Sequence, residues 1–192
     1  MKEIALHILD IAENSIAAGA GKVAISVKNE AASDLLSIRI EDNGKGMSKD
    51  EIRRCSDPFF TSRTTRQVGM GIPLLRQHAE MCGGALKIQS QKGVGTMVEA
   101  TFLLGHPDRQ PLGDLEGSWL LLATSNPHME WELICSTGAG DFYISTSEIK
   151  ETLEVKYIRG NDLTSSLKRM IRNNLDELGM EEQIIDSNTG NI

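Results

Sequence analysis

Apolar residues recur at helical spacing from Lys2 to Ala18. Ile4, Ile8, Ile11 and the small Ser15 form one stripe flanked by Ala5, Leu9, Ala12 and Ile16, while Glu3, His7, Asp10 and Asn14 fall on a polar stripe. The spacing predicts a helix with one face in a core and the other turned to a site. Gly19-Ala20-Gly21 stops it, because glycine tolerates the left-handed geometry of a C-terminal cap. The period then changes to two. Val23, Ile25 and Val27 alternate as a strand, with Leu36, Ile38 and Ile40 as its hairpin partner across Asn29 to Asp34. Ser48-Lys49-Asp50-Glu51 carries the Ser and Glu of a capping box, which predicts a short helix to about Cys55. From Ser56 to Val68 the pattern is aperiodic and holds Pro58, Arg63 and Arg66, as expected of a long, mobile lid. A helix is predicted from Ile72 to Met81, with Pro73 tolerated in its first turn and Gly83-Gly84 ending it. Ala85 to Ser90 and Thr96 to Leu104 then alternate around Gln91 to Gly95 as a second hairpin.

Prolines and glycines crowd the stretch from Gly105 to Gly117, the best boundary in the chain. After it the pattern predicts strands at Ser118 to Thr124, Glu130 to Cys135 and Phe142 to Ser145, the last two joined by a Gly138-Ala139-Gly140-Asp141 turn. Ser147 is the expected cap of a short helix, and Leu163, Leu167, Met170, Ile171, Leu175 and Leu178 mark a long amphipathic helix over Asp162 to Leu178. The expected organisation is a main domain over residues 1–104, a linker at 105–117, a small α/β domain at 118–180 and a frayed polar tail at 181–192. No strand precedes the first helix, so the first sheet edge is expected to be covered by the C-terminal region. The fold class is an α+β sandwich: a mixed, mostly antiparallel sheet with helices on one face and a C-terminal appendage.

Composition narrows the partners. The 192 residues are 40% hydrophobic and 24% charged, and no apolar run reaches the roughly 20 residues a bilayer helix needs. A net charge of -7 without clustered Lys and Arg argues against a nucleic-acid surface. Cys55, Cys82 and Cys135 are odd in number and widely spaced, as reduced thiols are, and His7, His78, His106 and His128 lack zinc-ligand spacing. Met1-Lys2-Glu3 runs straight into the amphipathic pattern without a leader, so a soluble cytoplasmic protein is expected, with neither nucleic acid nor membrane as partner.

Four segments carry candidate chemistry. Asp10 and Asn14 are one helical turn apart, where an Asn oxygen can coordinate magnesium and a carboxylate can hold a water; a solvated polar stripe would look the same. Asp42-Asn43-Gly44-Lys45-Gly46 follows a strand, where Asp can accept from an exocyclic amine beside glycines that admit a flat base; a plain turn is the alternative. Gly69-Met70-Gly71 opens a helix whose N-terminus can attract phosphate, or serves as a lid hinge, and Arg63 and Arg66 can reach phosphates from the lid or lie solvated. Gly93-Val94-Gly95-Thr96 adds a second glycine turn. His7 lies on the site-facing stripe and is expected to be solvated or to support a neighbour of the ligand. Trp119 and Trp131 are expected in the core.

In this order, with Pro58-Phe59-Phe60-Thr61 between the second and third, these boxes resemble the GHKL superfamily, the ATP-binding fold of sensor histidine kinases, gyrase, heat-shock chaperones and mismatch-repair ATPases. The resemblance covers residues 1–104. It implies ATP and magnesium as cofactors, Asn14 as metal ligand, Asp42 as reader of the adenine amine with Thr96 in support, and Asp10 as the water-activating residue. Gly44, Gly46, Gly69, Gly71, Gly93 and Gly95 would shape the pocket, with Met47, Phe60, Thr61, Arg63 and Met70 among its contacts. Asp10 stands where hydrolytic branches carry Glu, and Ala17 where histidine kinases carry a lysine.

The first box begins too early for a preceding helix pair bearing a phosphoacceptor histidine, so autophosphorylation in cis is not expected. Three functions follow: a histidine-kinase-like ATPase of low turnover whose nucleotide state controls an unidentified protein partner, a kinase phosphorylating a separate protein in trans as anti-sigma factors do, or a nucleotide-binding scaffold. Residues 118–180 match no chemical motif; partner docking or homodimerisation is expected from their position alone.

Overall fold

A computed structural model describes residues 2–55 and 71–180. Its first helix, α1 (Ile4–Ala17), buries Ile4, Ile8, Ile11, Ala12 and Ser15 as the periodicity requires, and Gly19 follows at φ +72°. Glu3 gives α1 no side-chain cap. Two N–H groups of the first turn instead donate to the linker, Ile4 to the Pro111 carbonyl at 2.8 Å and Ala5 to that of Leu112 at 2.9 Å.

The sheet begins with the hairpin of β1 (Lys22–Glu30) and β2 (Leu35–Asp42), paired antiparallel. Next come α2 (Lys49–Cys55), α3 (Gly71–Met81) and the hairpin of β3 (Leu86–Gln91) and β4 (Gly95–Leu103). The capping box of α2 forms as expected: Glu51 accepts from the Ser48 N–H at 2.7 Å, and its own N–H donates to the Ser48 hydroxyl at 3.3 Å. The chain then adds α4 (Leu115–Ser125), β5 (Glu130–Thr137), β6 (Gly140–Ser145), α5 (Thr146–Thr152) and α6 (Asn161–Glu177).

The six strands of the described residues form one sheet in the order β3-β4-β2-β1-β5-β6, antiparallel except where β1 meets β5. The edge of β1 left open by the hairpin is covered by β5, so the segment after the linker extends the same sheet. Val23, Ile25 and Val27 of β1, Ile38 and Ile40 of β2, Val98 and Phe102 of β4, and Trp131, Leu133 and Cys135 of β5 share one buried face and one continuous core under the helices. The other face is polar, with ion pairs such as Lys22 to Glu132 at 2.7 Å. Among the described residues no helix is long and apolar enough to cross a membrane.

Three expectations are corrected. Ser118 to Thr124 is not a strand but the body of α4, whose Leu115, Trp119, Leu122 and Ala123 recur at helical spacing, and Asp114 caps it by accepting from the Gly117 N–H at 2.9 Å. In its run Trp119-Leu120-Leu121-Leu122-Ala123 four residues are buried because α4 packs between α1, α6 and β5, and Leu121 is exposed, so the apolar run has no polar stripe to mark its outer face. The cap of α5 is Ser145, which accepts from the Glu148 N–H at 3.2 Å; Ser147 turns its hydroxyl to Glu130. His7 is not solvated. It is 2% exposed, and its ring centroid stands 5.5 Å from that of His78 on α3. Burial, then the charge of His78, pushes its pKa down to about 4.

Helix α6 closes the layer over α4 through Leu167, Ile171 and Leu175. Two ion pairs fix the docking, Lys168 to Asp114 at 2.6 Å and Arg172 Nε to the buried Glu116 at 2.7 Å. Both tryptophans lie fully in the core, as expected.

Candidate functional site

The C-terminal end of α1, the turn after β2 and the β3–β4 hairpin meet at one edge of the sheet. Asn43 holds the first two together, its side-chain oxygen accepting from the N–H groups of Gly21 and Lys22 at 2.8 and 2.9 Å. The Lys45 N–H donates to the Ala18 carbonyl at 3.0 Å, and the Gly93 N–H to the Lys45 carbonyl at 2.8 Å. The turn is therefore fixed on both sides.

Asp42 sits at the end of β2 on the strand face that carries Ile38 and Ile40, and is half-buried. Its Oδ2 accepts from the Ser15 hydroxyl at 2.9 Å and its Oδ1 from the Gly44 N–H at 2.8 Å. Asn14 is the residue beside Ser15, and Asp10 lies one turn earlier; both are half-buried. Gly71, the first residue of α3, packs on Asp10. A Cβ built on Gly71 would come within 3.0 Å of the Asp10 Cβ and 3.3 Å of its Oδ2.

Thr96 on β4 pairs in register with Asp42, and Ser90 on β3 pairs with Thr96. The Ser90 hydroxyl is 2.8 Å from that of Thr96, accepts from the Met47 N–H at 2.7 Å and lies 2.9 Å from the Gly95 carbonyl oxygen. Met47 thus reaches the cluster through its backbone. Asp42, Thr96 and Ser90 form a polar row across three neighbouring strands.

The glycines divide by what crowds them. A Cβ on Gly95, at φ +141°, would stand 1.9 Å from the Asp42 carbonyl oxygen, and one on Gly46, at φ +62°, 1.9 Å from that of Gln91. These two let backbone meet backbone. Gly44 is closed in by Ala18 and the Asp42 carboxylate at 2.9 and 3.0 Å, whereas nothing lies within 4 Å of a Cβ on Gly93. Phe60, Thr61, Arg63, Gly69 and Met70, and the whole expected lid from Ser56 to Val68, lie outside the described residues.

Ser15 and Ser90 were not among the residues singled out from the sequence. Ser15 reads there as a small member of an apolar stripe and Ser90 as a strand end; the packing of α1 on β2 exposes the role of the first and the cross-strand register that of the second. A groove of about 630 Å³ runs past Lys22, Arg39 and Glu132 and is lined as well by Asp42, Ser90 and Thr96, while no residue of α1 lines it. The groove thus reaches the residues of the Asp42 row, with the Asp42 carboxylate turned to Ser15 on α1.

The donor set suits a hard cation shared with a phosphate-bearing ligand. Asp10 and Asn14 offer oxygen on one helix face, and among the described residues no group of three or more His, Cys, Asp or Glu could hold an ion alone. Magnesium, which keeps waters and takes one or two protein oxygens beside substrate phosphates, fits that arrangement.

A family model for the histidine kinase-, DNA gyrase B-, and HSP90-like ATPase matches residues 2–106. The non-motile and phage-resistance protein of Caulobacter vibrioides is 29% identical over 116 residues, 57% of this chain and 14% of its own length. The sensor histidine kinase ZraS of Salmonella typhimurium is 31% identical over 91 residues, 47% of this chain and 19% of its own. The cell-division control histidine kinase PdhS of Brucella abortus is 30% identical over 115 residues, 53% and 11%. This chain thus spans less than a fifth of the length of each. Among solved structures, the MutL ATPase domain of Aquifex aeolicus complexed with ADP superposes with a TM-score of 0.47 at 16% identity, covering 81% of this chain and 70% of that one.

Proposed function

Because the chain belongs to the histidine kinase-, DNA gyrase B-, and HSP90-like ATPase family, we propose that it is a cytoplasmic module that binds ATP with magnesium and passes its nucleotide state to a partner protein. The observation that carries this reading is the Ser15 to Asp42 hydrogen bond of 2.9 Å, which joins the Asn14 turn of α1 to the end of β2. One helix and one strand end then serve a single ligand. Asp42 accepts from the adenine amine with Thr96 beside it, and Asn14 offers its oxygen to the cation. Magnesium, when bound, neutralises phosphate charge.

Asp10 is the residue that orients and deprotonates an attacking water. Its carboxylate lies against the first residue of α3, whose N-terminal N–H groups favour negative charge. Aspartate is one methylene shorter than the glutamate that the hydrolytic branches place there, so slow turnover is expected. Residues 118–180 are proposed as the part that docks the partner or a second copy of the chain.

The named histidine kinases among the relatives favour a second reading, phosphoryl transfer in trans to a separate protein. The full chain incubated with γ-labelled ATP separates the two. Free labelled phosphate, lost about 100-fold in Asp10→Asn, supports a hydrolytic switch. Label on a co-purified protein supports the kinase. ATP bound with neither product leaves a scaffold and overturns the catalytic role of Asp10.

A further inference from the structure

The hydrogen bonds around Asp42 and Thr96 leave these groups able only to accept. Ser15 is 2% exposed on a helix face otherwise built of Ile8 and Ile11, and its one hydroxyl proton goes to Asp42 Oδ2. The Gly44 N–H occupies Oδ1 from the other side. Held at both oxygens, the carboxylate cannot turn, and each oxygen keeps a lone pair for a ligand.

The second half of the row follows from counting protons. Ser90 has one hydroxyl hydrogen and three partners. The Met47 N–H can only donate to it, and the Gly95 carbonyl can only accept from it, so the Ser90 proton goes to Gly95. The proton between Ser90 and Thr96 must then come from Thr96. Thr96 Oγ1 has thereby spent its donor inward and keeps only lone pairs, on the strand position opposite Asp42.

Resting on the nucleotide site proposed above, we propose that Ser15 and Ser90 are positioning residues that fix Asp42 and Thr96 as a pair of acceptors, making the site select a base with an exocyclic amine over one with a carbonyl at the same position. A 6-amino purine brings N–H to this pair. A 6-oxo purine sets oxygen against oxygen, and a buried polar group left unpaired is what makes such sites discriminate strongly.

The test uses the full chain and calorimetric titration with MgATP and with MgITP, whose base differs by the amine-to-carbonyl exchange. The expected result is an ATP preference of at least about 10-fold in the natural chain. Ser15→Ala and Ser90→Ala each shrink that ratio severalfold by weakening ATP, leaving ITP nearly unchanged. Asp42→Asn, whose amide can donate to a carbonyl, abolishes the ratio, and adding Ser15→Ala to it changes the ratio no further. That last non-additivity would not arise if Ser15 merely packed. Should Ser15→Ala not fold, Ser90→Ala and the natural chain's own ratio decide. Retention of the natural ratio in the folded serine variants overturns the inference, as does equal binding of ATP and ITP by the natural chain, and in both cases the nucleotide site itself stands. Binding of neither nucleotide overturns both.

Discussion

The imidazoles of His7 and His78 stand 5.5 Å apart across the contact of α1 with α3, the two helices that flank Asp10. Burial lowers the pKa of both, in His7 to about 4 from 6.5. The unfolded chain therefore binds protons that the folded one refuses. The stabilisation is complete above pH 6.5 and is lost as pH falls from there towards 4, by up to roughly 3 kcal/mol for His7. Urea melts at pH 7.5 and pH 5 should show this fall, and His7→Phe should show a smaller one. Equal pH slopes in the two proteins would refute it.

Gly95 allows β4 to pass the end of β2, and its backbone at φ +141° is one that side chains rarely adopt. Gly95→Ala would drive a Cβ into the Asp42 carbonyl and displace Asp42 from Thr96. A loss of about 3 kcal/mol is expected, together with loss of nucleotide binding. Gly93→Ala meets no neighbouring atom and bears only its φ of +75°, so it should cost about 1 kcal/mol. Thermal melts of the two variants compare them directly, and equal losses would contradict the backbone-contact role of Gly95.

Strand β5 covers the edge of β1, so residues 1–113 alone should not behave as a folded monomer. They would lose Trp131, Leu133 and Cys135 from the core and expose β1 along its full pairing with β5. Size-exclusion chromatography should show aggregation or an unfolded chain. A monomer melting cooperatively would show that residues 2–106 form an independent unit.

Much of this fold is written in local pattern. The period of α1, its Gly19 stop, the two hairpins and the capping box of Ser48 and Glu51 depend on neighbours within one turn or one strand. What escaped depends on contacts distant in sequence. Trp119 to Ala123 has the length and composition of a buried strand, and only its packing between α1, α6 and β5 makes it a helix. His7 has the spacing of a site residue but is covered by α3. Asp42 and Thr96 were legible as chemistry because of their glycines; Ser15 and Ser90, which hold them, became visible only through a helix-to-strand contact across 27 residues and a strand pairing across 6.

The proposal that α1 and the end of β2 serve one ligand is tested most directly by titrating the full chain with ATP, with and without magnesium, alongside Asp42→Asn and Asn14→Ala. The expected result is saturable binding in the natural chain, weakened at least about 10-fold by Asp42→Asn whether or not magnesium is present, with Asn14→Ala removing the gain that magnesium confers. No binding by the natural chain, or binding that neither substitution alters, would contradict a site built on Asn14 and Asp42.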